Sequence, residues 1–375
     1  MAIKPTDFYN LLVSHGVEFF TGVPDSLLKE FCFCIDDRIS GDKHIIAPNE
    51  GNAIALAAGY YLANKSLPLV YMQNSGIGNA INPLLSLCDP DVYSIPMLVI
   101  IGWRGEPGVQ DEPQHVKQGK IQLELLKIMD IPFEIISKEE GFENKTTRLI
   151  ESAINNNRPV VLMVKKGTFE QYTKDIIEAN KNGMMREEAL EIVMENIDDK
   201  AIVISTTGKT SREIFEIREK RNESHQQDFL TVGSMGHCSS IALGIAIGKP
   251  DRKVFCIDGD GALLMHMGSL TSITSLKQKN FRHILMNNKV HESVGGQNTA
   301  AKNVDLSAIA KAAGYNKIYT AETPNELKVC MDHFLIGDGP DLLEVKICPG
   351  SRQDLGRPTI KPVDNKVSFM TFIEN

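Results

Sequence analysis

The stretch Gly259-Asp260-Gly261-Ala262, followed along the chain by the pair Asn287-Asn288, decides the fold of the C-terminal half. Residues 254–257 are typical of a buried strand, residues 263–276 of a crossover helix and residues 281–286 of the next parallel strand. This order brings the Asp and the Asn pair to the carboxyl ends of adjacent strands. Carboxylate and amide oxygens suit Mg²⁺, and the glycines leave room for a phosphate at a helix N-terminus. The motif therefore predicts a shared site for a metal and a diphosphate.

The rest of the chain alternates helix-like and strand-like segments on both sides of a polar segment. This alternation predicts an α/β protein with two doubly wound parallel-sheet domains. We place the first domain at residues 1–168, a linker at 169–184, the second domain at 185–347 and a C-terminal tail at 348–375. Because the tail shows no periodicity, we expect it to be extended and packed over another part of the protein.

Composition narrows the class of protein further. The 375 residues are 42% hydrophobic, which is enough for two ordinary cores, and the net charge of −8 argues against binding to nucleic acid. The apolar runs are strand-sized and broken by Gly, Pro or charge, which predicts no membrane span and a cytoplasmic location. The seven cysteines lack the spacing of a metal site and are expected to be reduced core residues.

The spacing of the Gly-Asp-Gly motif and the Asn pair resembles the signature of thiamine diphosphate enzymes. The resemblance implies that Asp260, Asn288 and the backbone carbonyl of Val290 hold the Mg²⁺ that carries the diphosphate of thiamine diphosphate. It also implies that a second set of residues lies along this diphosphate, namely Gly259, Gly261, Ala262, His291 and Ser293. The alternative is a plain βαβ unit with a tight turn between glycines.

Two further segments of the second half match contacts that the resemblance implies for the rest of the cofactor. In Gly233-Ser234-Met235-Gly236, the carbonyl of Gly233 would accept from the 4′-amino group and Met235 would be the bulky wedge beneath the cofactor. A methionine at this position is alternatively core filler. Thr207 and Thr210 follow a predicted strand, and their hydroxyls suit either the polar edge of the cofactor or the capping of a helix.

Glu50, in Pro48-Asn49-Glu50-Gly51, stands after a predicted strand and opens a helix of small residues. A carboxylate there is alternatively an ordinary charge at a helix N-terminus. The resemblance implies that Glu50 hydrogen-bonds N1′ of the pyrimidine and so helps to generate the nucleophile of the cofactor. In this family the glutamate and the diphosphate site come from different chains. The resemblance thus implies a homodimer or larger assembly with the active site at the subunit interface.

The chain lacks the central domain of many thiamine decarboxylases and over its whole length resembles the phosphonopyruvate decarboxylase family. The segments that carry this resemblance are Gly22-Val23-Pro24-Asp25-Ser26-Leu27, Asn74-Ser75-Gly76-Ile77-Gly78-Asn79, Gly102-Trp103-Arg104-Gly105 and His291-Glu292-Ser293-Val294-Gly295-Gly296-Gln297. The implied reaction converts 3-phosphonopyruvate, a small anionic 2-oxo acid, to phosphonoacetaldehyde and CO₂. The sulfopyruvate decarboxylases are the neighbouring family, and a carboligase with the same cofactor is a further alternative.

A dianionic substrate requires cationic or hydrogen-bonding side chains near the catalytic motifs. We predict that four residues bind it, namely Arg104, Lys289, His291 and Arg352, whereas Lys117 and Lys120 are expected to be surface charges. For proton transfer, the resemblance to other decarboxylases favours Asp25 and His115 as catalytic residues beside Glu50. Asp25 follows a proline at the start of a predicted helix, so it is alternatively a helix N-cap.

Overall fold

The computed structural model describes residues 2–39, 41–139, 141–173 and 183–374. The chain divides into two compact units, Met1–Ile176 with Val294–Gln297, and Ile177–Ser293 with Asn298–Asn375. Each unit contains one six-stranded sheet whose neighbouring strands are all parallel. The prediction of two doubly wound α/β domains is therefore confirmed. Most of the predicted linker, residues 174–182, lies outside the described residues.

The sheet of the first unit has the strand order β2-β1-β3-β4-β6-β5. Its strands are β1 (Phe20–Gly22), β2 (His44–Ile46), β3 (Leu69–Gln73), β4 (Met97–Gly102), β5 (Phe133–Ile136) and β6 (Pro159–Val164). Its helices are α1 (Pro5–Ser14), α2 (Lys29–Arg38), α3 (Glu50–Asn64), α4 (Ile77–Pro83), α5 (Pro113–Ile128) and α6 (Phe142–Asn156). Helices α1, α2 and α6 pack on one face of the sheet and α3, α4 and α5 on the other. The central strands are consequently buried on both faces, as their continuous apolar runs predict.

The sheet of the second unit has the order β11-β12-β10-β9-β7-β8. Its strands are β7 (Ile202–Ser205), β8 (Asp228–Leu230), β9 (Val254–Gly259), β10 (Phe281–Asn287), β11 (Ile318–Ala321) and β12 (Asp341–Lys346). Its helices are α7 (Arg186–Asn196), α8 (Lys209–Arg221), α9 (Cys238–Gly248), α10 (Asp260–Met265), α11 (Ser269–Leu276), α12 (Leu306–Ala313), α13 (Pro324–Ile336) and α14 (Pro362–Glu374). Helices α7, α8 and α13 cover one face, and helices that include α9, α11 and α12 cover the other.

The strand order of the second unit fixes where a ligand would bind. Strand β7 lies between β8 and β9, so the chain leaves the sheet centre in one direction after β7 and returns to continue in the other. Ligands of such sheets bind at the carboxyl ends of the strands at this reversal. Met286 pairs with Gly259 across β10 and β9, so the residues that follow each strand emerge at the same edge.

Two predicted elements are wrong. The single crossover helix expected at residues 263–276 is two helices, α10 and α11, separated at His266–Gly268, where His266 leaves the helical conformation. The tail is not extended throughout, because α14 forms within it. Phe369 of α14 is buried against Phe229, with ring centroids 5.4 Å apart, and this burial stabilises a segment whose own periodicity is weak. In the described part of the chain, no helix is both long and apolar enough to cross a membrane.

Candidate active site

Asp260 is the first residue of α10, directly after β9, and its side chain is buried. Its carboxylate accepts a hydrogen bond from the Thr299 hydroxyl, and the nearby backbone N–H groups of Asn288 and Gly261 also favour its charged form. Burial nevertheless raises the pKa of Asp260 to about 6. A buried carboxylate with this cost of ionisation fits a divalent cation, which would stabilise its charged form.

The two asparagines after β10 have different surroundings. Asn287 donates from Nδ2 to Glu344 Oε1 at 2.7 Å, which ties it into the sheet. Asn288 donates from Nδ2 to Glu292 Oε2 at 2.9 Å, while its Oδ1 accepts from the backbone N–H of Val290 at 3.1 Å. The backbone N–H of Asn288 favours the charged form of Asp260, so the predicted metal ligands Asp260 and Asn288 lie close together.

The loop after Asn288 turns back past Asp260. Lys289 has a left-handed backbone, with φ of 63°, and Val290 pairs with Asn298 as an antiparallel bridge. The backbone N–H of Thr299 donates to the carbonyl of Lys289 at 2.8 Å, which places the Thr299 hydroxyl against Asp260. The half-buried Val290 therefore lies on a loop that is fixed at both ends.

Three residues predicted to contact the cofactor meet at Gly261. A Cβ atom on Gly261 would lie 3.1 Å from the ring of His291 and 3.4 Å from Cε of Met235, so glycine lets these two side chains approach the start of α10. The turn that carries Gly233 and Met235 approaches α10 closely, since a Cβ on Gly236 would lie 3.2 Å from the carbonyl oxygen of Ala262. Burial lowers the pKa of His291 to about 4, which leaves its imidazole neutral at neutral pH.

The turn after β7 contains Thr207, and Thr210 lies buried in the first turn of α8. The N-cap residue of α8 is Gly208, which has a φ of 97° and no side chain with which to cap the helix. A Cβ on Gly208 would lie 3.2 Å from Oγ of Ser293, so this turn and the predicted diphosphate loop are neighbours. The capping alternative for the threonines loses support, because the N-cap position is a glycine.

The strand that ends at Asp260 is held from within the sheet. Asp258 Oδ1 accepts from the backbone N–H of Gly259 at 2.9 Å, and Asp258 Oδ2 lies 3.6 Å from Nε2 of His283. Nδ1 of His283 is 2.8 Å from the Tyr315 hydroxyl. Both Asp258 and His283 are fully buried, so this polar chain fixes the backbone immediately before Asp260.

In the first unit, Glu50 begins α3 directly after the N-cap residue Asn49. Its side chain is 5% exposed, and Oε2 accepts from Nδ2 of Asn79 at 2.7 Å. A Cβ on Gly76 would lie 2.3 Å from Oε1, so the absence of a side chain on Gly76 is what admits the carboxylate. Glu50 is thus a buried, oriented carboxylate and not a solvated charge at a helix end.

Asp25 is fully buried in the turn between β1 and α2. Its Oδ1 accepts from Nε2 of Gln73 at 2.7 Å and its Oδ2 from the backbone N–H of Leu27 at 3.0 Å. The N-cap alternative is wrong, because α2 begins at Lys29 and its N-cap is Leu28. Burial raises the pKa of Asp25 above that of an exposed aspartate.

Arg104, predicted to bind substrate, is already paired with a carboxylate. Its Nε donates to Oδ2 of Asp111 at 2.8 Å, its Nη2 to Oδ1 at 2.5 Å, and its Nη1 to the Ser26 hydroxyl at 3.0 Å. Although burial opposes it, the hydrogen bond from Arg104 lowers the pKa of Asp111 to about 2. Burial, reinforced by the charge of Arg104, lowers the pKa of His115 to about 4. His115 is therefore neutral at neutral pH, and its buried Nδ1 has no hydrogen-bond partner among the described residues.

Arg352 and Lys289, the other predicted substrate cations, differ from each other. Arg352 contacts carboxylates on α7 and α8, with Nε donating to Oε2 of Glu187 at 2.7 Å and Nη2 paired with Glu216. These ion pairs speak against a role for Arg352 in substrate binding. Lys289 is exposed on the loop beside Asn288. Its role in substrate binding stays a prediction.

Four side chains that orient these groups are not among the predicted site residues, namely Gln73, Asn79, Glu292 and Thr299. Asn79 and Glu292 stand inside the quoted motifs, so their type and position were a usable signal. Thr299 reaches Asp260 only through the pairing of Val290 with Asn298, which no local pattern indicates.

Family models for thiamine pyrophosphate enzymes match both halves, the N-terminal TPP binding domain at residues 6–126 and the C-terminal one at residues 206–345. Thiamine pyrophosphate is another name for thiamine diphosphate. The two α/β domains, with Asp260 and Glu50 at the strand ends, are thus those of a thiamine pyrophosphate enzyme.

Relatives narrow this class. A phosphonopyruvate decarboxylase of Streptomyces hygroscopicus is 33% identical over 99% of this chain and 94% of that protein. One of Streptomyces viridochromogenes is 33% identical over 99% of this chain and 95% of that protein. A sulfopyruvate decarboxylase of Methanosarcina acetivorans is 29% identical over 80% of this chain and 79% of that protein. The chain belongs to the phosphonopyruvate decarboxylase family, and it is a decarboxylase, that is, a carboxy-lyase.

Proposed function

We propose that this enzyme decarboxylates 3-phosphonopyruvate to phosphonoacetaldehyde and CO₂, with thiamine diphosphate and Mg²⁺. The observation that carries the choice of substrate is the full-length similarity to two phosphonopyruvate decarboxylases. Sulfopyruvate is the second candidate substrate, because a sulfopyruvate decarboxylase is also similar to this chain. It ranks second because that relative matches a smaller share of the chain at lower identity.

The residues of the second unit fit the metal and the diphosphate. Asp260, Asn288 and the carbonyl of Val290 would hold Mg²⁺. Their oxygen atoms support this assignment, because Mg²⁺ binds hard oxygen ligands. Gly261, Met235 and His291 lie together beside Asp260, so they would contact the cofactor next to the metal. When bound, thiamine diphosphate supplies the nucleophilic carbon and the electron sink for loss of CO₂.

The residues of the first unit supply proton chemistry. Glu50 would share a proton with N1′ of the pyrimidine, and Asn79 holds its other oxygen. Asp25 is the better proton donor of the two remaining candidates, because burial raises the pKa of its carboxyl and so favours the protonated form. His115, neutral through its lowered pKa, would act as a hydrogen-bonding group beside the reacting carboxylate and not as a cationic acid.

For the anionic substrate, Lys289 and the neutral His291 lie on the loop next to the proposed metal ligand Asn288. Arg104 would act through its pairing with Asp111 and Ser26, as a fixed donor and not as a free charge. We also propose a homodimer or larger assembly in which Glu50 and Asp260 of different chains serve one site, a relation that the family resemblance implies.

The experiment that tests the reaction is CO₂ release from phosphonopyruvate, sulfopyruvate and pyruvate by the purified enzyme with thiamine diphosphate and Mg²⁺. The three acids share the 2-oxo carboxylate and differ in the group on C3, so their kcat/KM values isolate recognition of the phosphonate. We expect phosphonopyruvate to be preferred at least tenfold. A preference for sulfopyruvate would leave the cofactor chemistry in place and overturn the substrate. Product analysis with added aldehyde separates decarboxylation from carboligation.

A further inference from the structure

A network of charged side chains surrounds the amide of Asn288 in the second unit. Its carboxylates are Glu213 and Glu292, and its cations are Arg186 and Lys209. Arg186 donates from Nε and Nη2 to Glu213 at 2.6 and 2.9 Å and from Nη1 to Glu292 Oε2 at 2.7 Å. Lys209 donates to Glu292 Oε1 at 2.8 Å. Glu292 therefore faces cations on two sides and the Asn288 amide on a third.

The contacts of Glu292 determine which way the Asn288 side chain faces. The oxygen and nitrogen of a side-chain amide exchange places when the amide rotates by half a turn. Only the oxygen binds a hard cation. A carboxylate has no proton to donate when ionised, so only the Nδ2 end of the amide is favourable at 2.9 Å from Glu292. The Asn288 oxygen is thereby turned to the other side, where it already accepts the backbone N–H of Val290.

We infer that Glu292 is a positioning residue for the metal, which fixes the Asn288 amide with its oxygen toward the cation. This inference rests on the proposed Mg²⁺ site at Asp260 and Asn288. Such outer partners commonly change metal affinity 10- to 100-fold when they are removed. The expected effect arises from orientation of the ligand, since Glu292 hydrogen-bonds Asn288 and is not itself one of the proposed metal ligands.

The cations keep Glu292 suitable for this task. Arg186 Nη1 lies 2.7 Å from Glu292 Oε2 and Lys209 Nζ lies 2.8 Å from Glu292 Oε1, so both carboxylate oxygens are held in place by cations. Arg186 is in turn 6% exposed and anchored on Glu213, which is 2% exposed. The ion cluster is thus built into the ends of α7 and α8, and its outermost anion is the one that binds Asn288.

The test is a titration of Mn²⁺, as a paramagnetic stand-in for Mg²⁺, into the enzyme with saturating thiamine diphosphate, with free Mn²⁺ measured by electron paramagnetic resonance. We expect Glu292→Gln to weaken Mn²⁺ binding at least tenfold. The oxygen of the introduced Gln side chain would accept hydrogen bonds from Arg186 and Lys209. Its N–H groups would then face Asn288. Glu213→Gln is the matched control, because it disturbs the same cluster without contacting Asn288, and we expect it to change Mn²⁺ affinity less than about threefold.

A polarity swap separates orientation from general damage to the fold. Asn288→Asp removes the N–H that Glu292 accepts and places two carboxylates against each other. In that background Glu292→Gln supplies an N–H to the new carboxylate, so it should strengthen Mn²⁺ binding although it weakens binding in the wild type. The same sign of effect in both backgrounds would overturn the inference.

Two outcomes distinguish the inference from the proposed function. If wild-type enzyme has no Mn²⁺ site that depends on thiamine diphosphate, or if Asp260→Asn leaves that site unchanged, the proposed metal site itself is wrong. If the site is present and is lost in Asp260→Asn, but Glu292→Gln and Glu213→Gln bind Mn²⁺ equally, only the positioning role of Glu292 is wrong.

Discussion

The two units have the same kind of sheet but different chemistry at the carboxyl ends of the strands. In the first unit, neutral amides hold the buried carboxylates, Gln73 on Asp25 and Asn79 on Glu50. In the second unit, cations hold a carboxylate beside the proposed metal ligands, as with Arg186 and Lys209 on Glu292. A cation favours the ionised form of a carboxylate more strongly than a neutral amide does, because it adds an attractive charge to the hydrogen bond.

The two units therefore differ in the partners of their carboxylates and not in the kind of sheet that carries them. At the strand ends of the first unit, burial raises the pKa of Asp25 although the hydrogen bond from Gln73 and the charge of Arg104 oppose it, which fits the proton transfer proposed there. At the strand ends of the second unit, Arg186 and Lys209 hold Glu292 in place, while burial raises the pKa of Asp260 to about 6, which fits the proposed metal beside it. The fold places the carboxylates at the strand ends of each unit. The side chains that contact these carboxylates determine their chemistry.

Glu50→Gln tests the proton transfer proposed for the first unit. Of these variants it should have the largest effect on kcat. The substitution preserves size and leaves an oxygen that accepts from Asn79, but it removes the proton that the proposed pyrimidine contact requires. We expect kcat to fall by about 10²- to 10⁴-fold, the range for loss of a general acid–base group. Stopped assays of CO₂ release measure it, and thiamine diphosphate binding should change much less.

Glu143→Gln is the control for Glu50→Gln, since Glu143 also lies in the first turn of a helix, α6, but is exposed. It should retain wild-type kcat. Equal losses in the two variants would mean that the observed defect reflects helix-end charge and not catalysis.

A mixed assembly sharpens the comparison of the two units. It tests whether Glu50 of one chain and Asp260 of another chain serve one site. Chains with Glu50→Gln and chains with Asp260→Asn are co-expressed with different tags, and mixed dimers are isolated by two affinity steps. If each site combines two chains, one of the two sites in a mixed dimer is intact, and about half of the wild-type activity is expected. If both groups act within one chain, the mixed dimer stays as inactive as its parents.

Much of the fold follows from local sequence patterns. Long apolar runs such as residues 97–102 and 159–164 coincide with strands β4 and β6, because strands buried on both faces need continuous apolar sequence. Helix α14 is less evident, since its stability comes from the burial of Phe369 against Phe229, a contact across 140 residues of chain. Distant packing of this kind leaves little trace in local periodicity.

The site divides in the same way. The proximity of Asp260 and Asn288 is a consequence of parallel strand order and could be predicted. The pairing of Arg104 with Asp111 could not, because an isolated Arg in a loop gives no indication of whether a carboxylate will fold back onto it. Orientation by Thr299 and Glu292 likewise depends on contacts that form only in the folded loop.

The neutral state of His115 predicts how the stability of the first unit depends on pH. Its pKa is about 4 in the folded enzyme and near 6.5 when unfolded, so between these values the unfolded chain binds more protons. Stability is therefore lost as pH falls from 7 toward 4, by about 1–2 kcal/mol between pH 7 and pH 5. Urea unfolding at both pH values measures it, and His115→Gln should show a smaller loss than wild type by that amount. Equal losses in the two proteins would contradict the buried neutral state.

Arg352→Ala gives the smallest expected effect and tests whether a cation paired with carboxylates takes part in substrate binding. The guanidinium is held by Glu187 and Glu216, so an anionic substrate would have to displace those two carboxylates to reach it. We therefore expect KM for phosphonopyruvate to change less than about twofold, while Lys289→Ala, which removes an exposed cation beside Asn288, raises KM more. A tenfold rise in KM in Arg352→Ala alone would show that an ion pair of the second unit opens to bind substrate. In that case the ion pairs of Arg352 with Glu187 and Glu216 would be part of the substrate site and not a fixed feature of the second unit.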